Sequence, residues 1–206
     1  MDVWALLLLA GLGAYHGINP AMGWLFAVAL GLQDRKRLTV LRAIPPIALG
    51  HLASVGAVVA VVGAARVLVS PTVVRVVGAC ALLGFGVWKL RSARHPRWVG
   101  MRVGFRDLAV WSFLMSSAHG AGLMLIPVLM GGPLVAHAGM AMPRAAATAG
   151  ATAVAVHTAA FLGVTVALAL LVYEVLGLKL LRVAWVNLDA LWAGALVVAG
   201  VVTLVV

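Results

Sequence analysis

The chain has 206 residues, 65% of them hydrophobic and 10% charged, and its mean hydropathy of +1.15 excludes a soluble domain with one solvated face. A formal net charge of +10 comes from basic residues gathered between apolar runs, which excludes a nucleic-acid stripe and points to anionic lipid headgroups as neighbours. The single cysteine, Cys80, excludes an intrachain disulfide, a dithiol relay and metal sites of the Cys₄ or Cys₂His₂ kind.

Six apolar runs follow one another at about 3–32, 43–64, 72–90, 108–130, 144–172 and 183–206, each long enough to cross roughly 30 Å of hydrocarbon. The first opens without a positive segment and reads as a retained helix, not a secretory signal. It then meets His16-Gly-Ile-Asn-Pro20, where the proline removes a helix hydrogen bond, so a broken helix is predicted. Pro45-Pro46, Pro71 and Pro143 fall near the starts of runs two, three and five, where proline is tolerated in a first helical turn. Run two carries His51. Run four repeats the theme of the first with His119-Gly-Ala-Gly122, Pro127 and Gly131-Gly132, and a second broken helix is predicted there. Run five carries His157, and run six has Asp189 near its start. Small residues such as Gly84, Gly86 and Ala193 to Ala195 suit close helix packing, and most of the tryptophans fall near run boundaries as interfacial anchors.

The two halves echo each other. His16-Gly17 recurs as His119-Gly120 after 103 positions, and His51, followed by Gly56, recurs as His157, followed by Gly163, after 106. Lys and Arg are biased to one side: the 33–42, 89–107 and 179–182 connections hold twelve of them, against Arg66, Arg75 and Arg144 for the other connections. The positive-inside rule then places both termini outside the cytoplasm, in a plasma (inner) membrane. Three crossings per half oppose the orientations of the halves. The fold expected is an all-α integral membrane protein of six transmembrane helices in a 3+3 inverted repeat, with halves 1–98 and 99–206 and broken first and fourth helices. The 89–107 linker, with Trp98, Met101 and Phe105 among its arginines, is either an interfacial amphipathic helix or a solvated loop.

An ionisable side chain inside hydrocarbon is a site hypothesis by default. At about 1.5 Å per residue, His16 lies roughly 20 Å from the outer boundary, His51 and His119 roughly 12 and 16 Å from the inner one, and His157 roughly 18 Å from the outer. All four fall in one slab near the midplane, where neutral imidazoles suit zinc, copper, nickel or cobalt. Asn19, Ser54 and Ser116 stand three residues from His16, His51 and His119 and offer partners for the second ring nitrogens. Asp189 is the one acid placed inside the membrane, able to complete the site or relay protons, but an interfacial cap or a partner for Arg182 is the preferred reading of it. Hard cations are poorly served by so few oxygens. On the external 131–143 connection, His137, Met140 and Met142 suit a copper(I) capture site, or simply fill space. His95 reads as a solvated loop residue.

Six helices in an inverted 3+3 arrangement, with His16-Gly-x-x-Pro20 ending the first, resemble the LysE superfamily of small transporters, and most nearly its nickel/cobalt exporter branch. The resemblance implies a metal carrier and carries over to His16 alone. Where that branch follows its first histidine with an Asp-His pair, this chain has Asn19-Pro-Ala-Met22. The disulfide-electron carriers of similar shape need a cysteine in each repeat, which this chain lacks.

The function expected is secondary transport of a transition-metal ion, a carrier in preference to an enzyme, working by alternating access around a midplane site of His16, His51, His119 and His157. Protonation of imidazoles with an ordinary pKa near 6.5 offers proton coupling. Alternatives are a haem or metal-dependent redox protein or enzyme built on the same histidines, and an organic-solute carrier. Metal, membrane lipid and a second copy of the chain are the partners considered.

Overall fold

The computed structural model describes residues 3–91, 103–131, 143–176 and 188–205, and every regular element among them is helical. The helices are α1 (Val3–Ile18), α2 (Trp24–Asp34), α3 (Arg37–Leu68), α4 (Pro71–Arg91), α5 (Phe105–Ala118), α6 (Ile126–Gly131), α7 (Pro143–Leu171) and α8 (Leu188–Val205). Short 3-10 turns at Pro20–Met22 and Leu123–Leu125 interrupt the α1–α2 and α5–α6 stretches, and α7 ends in a π turn at Val172–Leu176. The bulk of the 89–107 linker, His95, and the external trio His137, Met140 and Met142 lie outside the described residues.

Both expected breaks are present. Asn19 closes the first: its Oδ1 accepts from the Ala21 N–H at 2.9 Å, and Pro20 supplies no donor of its own. Gly23, at φ +121°, turns the chain through a backbone conformation open mainly to glycine. A break in an apolar setting strands carbonyls, and two indoles serve them. Trp24 Nε1 donates to the Ile18 carbonyl and Trp111 Nε1 to that of Ala21, each at 3.1 Å. In the second break, α5 starts where Asp107 Oδ2 accepts from the Gly104 N–H at 2.9 Å and stops at His119. The segment beyond, Leu123–Met130, is bent 49° from it.

Helix α3 departs from expectation. It begins at Arg37 and runs 32 residues, so Pro45 and Pro46 lie inside it and do not mark its start. Their missing N–H groups leave the carbonyls of Leu41 and Arg42 unserved. Both residues are exposed near the basic end of the helix, where solvent or headgroups can take over. Pro71 and Pro143 do occupy first helical positions.

Among the described residues, α3, α4 and the Ala147–Val175 stretch are each long and apolar enough to cross a membrane, and the bent α5–α6 pair makes up to four. The Val3–Ile18, Trp24–Asp34 and Leu191–Val205 helices are apolar and shorter. Exposed Val61, Val67, Val77, Val198 and Val205 add an apolar exterior, so the molecule is built as a helical membrane protein is.

The most extensive packing is of α1 along α7, α3 along α5 and α4 along α8, with α3 also crossing α7. Gly13 faces His157 and Gly17 faces Phe161, so α1 and α7 run parallel. Gly50 faces Ala109 and Phe113, and His51 faces Ser116, so α3 and α5 are parallel too. Helices α4 and α8 are antiparallel, Gly86 lying against Leu196 and Gly200 against Leu83. Arg37 Nε, 3.1 Å from Glu174 Oε1, ties the basic start of α3 to the end of α7. At the opposite end of α3, Arg66 Nη1 donates to the Leu129 carbonyl at 3.1 Å.

Candidate functional site

Four helices share one order of side chains. Along α3, the buried residues Val40, Ala43 and Ile47 belong to one apolar cluster and Val55 and Val62 to another, with His51 and Ser54 between them. Helix α7 passes from Ala153 to His157 to Phe161 and Ala169, crossing the same two clusters in reverse. His16 separates Leu9 from Met22 and Trp24, and Ser112, Ser116 and His119 separate Leu108 from Ala121. A polar layer therefore lies between two apolar plugs, and all four histidines are in it with at most 1% of their surface exposed.

Three of the rings form a triangle. The centroids of His16 and His157 are 5.0 Å apart, those of His51 and His157 5.4 Å, and those of His16 and His51 6.0 Å. His119 joins through Trp192, whose ring stands 4.3 Å from His16 and 5.8 Å from His119. Trp192 is buried, as is Trp24, so neither is the interfacial anchor expected of it. Trp4 and Trp88 are exposed and fit that role.

The hydrogen bonds fix the ring nitrogens. His16 Nδ1 is 2.8 Å from the Leu12 carbonyl and His119 Nδ1 is 2.8 Å from that of Met115, the same bond one turn back on α1 and on α5. A carbonyl only accepts, so in neutral rings the proton sits on Nδ1 and the lone pair on Nε2. His51 Nδ1 lies 3.0 Å from Ser116 Oγ, whose own proton points to Met22 Sδ at 3.8 Å; this leaves the hydroxyl to accept from His51. His157 makes no hydrogen bond of good geometry through either ring nitrogen, although the Leu9 backbone carbonyl acts on its ring, and Nε2 of His16 and of His51 lacks a partner.

The partners expected from spacing within a helix are not the ones used. Asn19 caps the break instead of serving His16, Ser116 serves His51 instead of His119, and Ser54 pairs with Ser117 at 2.9 Å. Asp189 lies in the first turn of α8, and its side chain is outside the description.

Offsetting α5 by 103 positions and α7 by 106 lines Ser116 up with Gly13 and His157 with His51. The α3–α5 seam is polar: Ser112 Oγ donates to the Ile47 carbonyl at 2.7 Å, Ser116 meets His51 and Ser117 meets Ser54. At the matching places on α1 and α7 stand Leu9, Gly13 and Ala14 against Ala153, His157 and Ala160. Gly13 packs on the His157 carbonyl so closely that a Cβ would overlap it. The hydroxyl that pins His51 thus has no counterpart beside His157.

No protein-family model, curated protein or solved structure matches this chain. The residues themselves carry the functional reading.

Among the described residues, no group of three or more His, Cys, Asp or Glu side chains has the geometry of a preformed metal site. The ring planes explain this. His51 and His157 are stacked 9° from parallel, and in-plane lone pairs of stacked rings do not meet at a common point. Their spacing is nevertheless suitable, because imidazoles ligating one tetrahedral ion at about 2.0–2.1 Å hold their centroids about 5 Å apart.

Sequence reasoning missed two further aromatic neighbours. Phe161 lies face to face with His51 at 3.7 Å and 9°, and the i, i+4 spacing from His157 was its available signal. Trp192 offered none, being one tryptophan in an apolar run. Thr158 and Thr165 are also buried, with hydroxyls that have no hydrogen-bond partner.

Proposed function

We propose that the protein carries a transition-metal cation across the membrane by way of His16, His51 and His157, with His119 as the fourth member of the layer. The single observation that carries this reading is a triangle of buried imidazoles 5.0–6.0 Å apart, with unpartnered nitrogens on each ring. Leaving buried polar atoms unpaired is costly, so their retention together is better explained by a ligand than by helix packing. Nitrogen donors without carboxylates suit zinc, copper, nickel or cobalt over magnesium or calcium.

The six-crossing inverted repeat belongs to the same proposal. Exchanging the halves maps the parallel α1–α7 pair onto α5–α3 and pairs α4 with its antiparallel counterpart α8. His51 and His157 then meet across the two-fold. The Arg37–Glu174 and Arg66–Leu129 contacts, at opposite ends of α3, favour cytoplasmic 33–42 and 172–182 connections and external termini. Apolar plugs on both sides of the histidines suit a carrier that opens to one side at a time.

A haem on these histidines is less favoured. Gly13 and Gly17 bring α1 against the α7 backbone beside His157 and Phe161, which leaves no slot for a macrocycle. A visible spectrum distinguishes the two, since ligated haem absorbs intensely near roughly 400 nm.

The direct test is elemental analysis of protein purified without chelator, followed by titration with zinc, cobalt, nickel and copper(I). Stoichiometric binding that is lost in the His51→Ala/His157→Ala double variant is expected. Undiminished binding by that variant would overturn the proposal.

A further inference from the structure

Resting on the carrier reading, we propose that Phe161 is the gate on the basic side of the histidines. Asn19 and Thr165 behind it form the polar step at which a departing cation regains water.

The apolar plug on that side is not uniformly apolar. Phe161 belongs to it, fully buried, and covers the face of His51 at 3.7 Å. Any ion leaving His51 toward the Arg37–Glu174 end has to displace this ring or pass its edge. One turn further along α7, on the same face, Thr165 is fully buried and its hydroxyl has no hydrogen-bond partner. Helix α1 runs beside this stretch, Gly17 packing on the Phe161 carbonyl and the Val164 side chain. Two residues beyond Gly17 is Asn19, 3% exposed. Its Oδ1 is committed to Ala21, and its Nδ2 has no partner.

A threonine in a helix ordinarily returns its hydroxyl to the carbonyl one turn back, as Thr152 and Thr203 do here at 2.8 and 2.7 Å. Thr165 does not. Two orphaned polar groups at one end of the α1–α7 seam, immediately behind an aromatic lid, are what a transient water or hydrated cation needs. The far side of the layer differs: in their halves, Thr165 corresponds to Val59 and Asn19 to Gly122, neither of which offers a polar side chain.

The test uses thiol accessibility in the full-length protein reconstituted in vesicles. The exposed Cys80 is replaced by serine, and Lys36→Cys on the basic connection marks sidedness. In this background Thr165→Cys, on the near side of the ring, should react with a membrane-impermeant maleimide from the side that labels Lys36→Cys, at a rate that does not depend on Phe161. Ser54→Cys, in the histidine layer beyond the ring, should react slowly from that side, and adding Phe161→Ala should raise its rate several-fold. Phe161→Leu provides the same comparison if the alanine variant does not fold, and Ala153→Cys in the opposite plug should be unaffected by either change. Reaction of Thr165→Cys only from the opposite side, no reaction at Thr165→Cys in any background, or a Ser54→Cys rate indifferent to Phe161 would overturn the proposal. Labelling requires no metal, so its outcome is separable from that of the binding titration.

Discussion

Ser116 Oγ stands 3.0 Å from His51 Nδ1, and the matching place beside His157 is held by Gly13. The Ser116 hydroxyl thereby fixes His51 in tautomer and orientation, and no side-chain hydrogen bond does the same for His157. Removing the fixing hydroxyl should weaken metal binding without touching a ligand. Ser116→Ala is expected to lower affinity about 10–100-fold, the usual cost of losing a ligand's orienting partner. Ser117→Ala removes the neighbouring bond to Ser54. Its expected cost is about 0.6 kcal/mol of stability, with little change in affinity. Competition titrations and thermal melts of both variants check the contrast, and equal losses of affinity would show that the seam merely holds the helices together.

Gly13 answers to a different constraint. A Cβ there would overlap the His157 carbonyl, whereas one at Gly56 would meet nothing within 4 Å. Gly13→Ala should therefore push α1 off α7, lower the melting temperature and abolish metal binding. Gly56→Ala should be neutral or stabilise by about 0.4–1 kcal/mol, since alanine in a helix interior restricts the unfolded chain more than glycine does. Melts in detergent together with metal titrations separate the two variants.

How far the sequence was readable follows from which interactions are local. The broken first and fourth runs were legible, because Pro20 and the glycines around His119 act on their own backbone. Assembly of the histidines was legible as a depth argument, since rise per residue converts position into height. Their hydrogen-bond partners were not. Spacing within one helix identifies Asn19, Ser54 and Ser116 as neighbours of the nearest histidine, but the register between helices decides which hydroxyl meets which ring. That register depends on close approaches at Gly13, Gly17 and Gly50, whose partners lie on another helix. Pro45 and Pro46 misled for a related reason: proline marks a start only where the preceding residues cannot themselves be helical, and Arg37 to Ile44 can.

Metal binding should fall as pH is lowered. A ligating imidazole must be unprotonated, so each histidine that binds metal competes with a proton and releases it on ligation. The sign follows directly: acid favours the protonated ring and opposes the metal. Affinity is expected to drop by about one decade per pH unit for each competing ring protonated in the free protein. Titrations across a pH series, with proton release measured in weak buffer, supply the check. Binding that stays flat across the pH range in which the free protein's histidines take up protons would exclude imidazole ligation.

Trp192 offers a reporter that a purely packing role for the histidines would not provide. Its ring lies 4.3 Å from His16 and 4.2 Å from Tyr15, to which it is tilted by 32°, so it sits beside the proposed ion and away from solvent. A paramagnetic ion held by His16, His51 and His157 should quench it strongly at short range. Of the chain's seven tryptophans, Trp4 and Trp88 are exposed at the surface and should respond weakly. Stoichiometric cobalt(II) or copper(II) is thus expected to quench part of the emission, and Trp192→Phe should remove most of that change while Trp4→Phe and Trp88→Phe leave it intact. His16→Ala, keeping the indole but deleting its neighbour, should weaken the quench together with the affinity. A quench that survives in Trp192→Phe would place the ion elsewhere, because no ligand set built on the three-histidine triangle can avoid that ring.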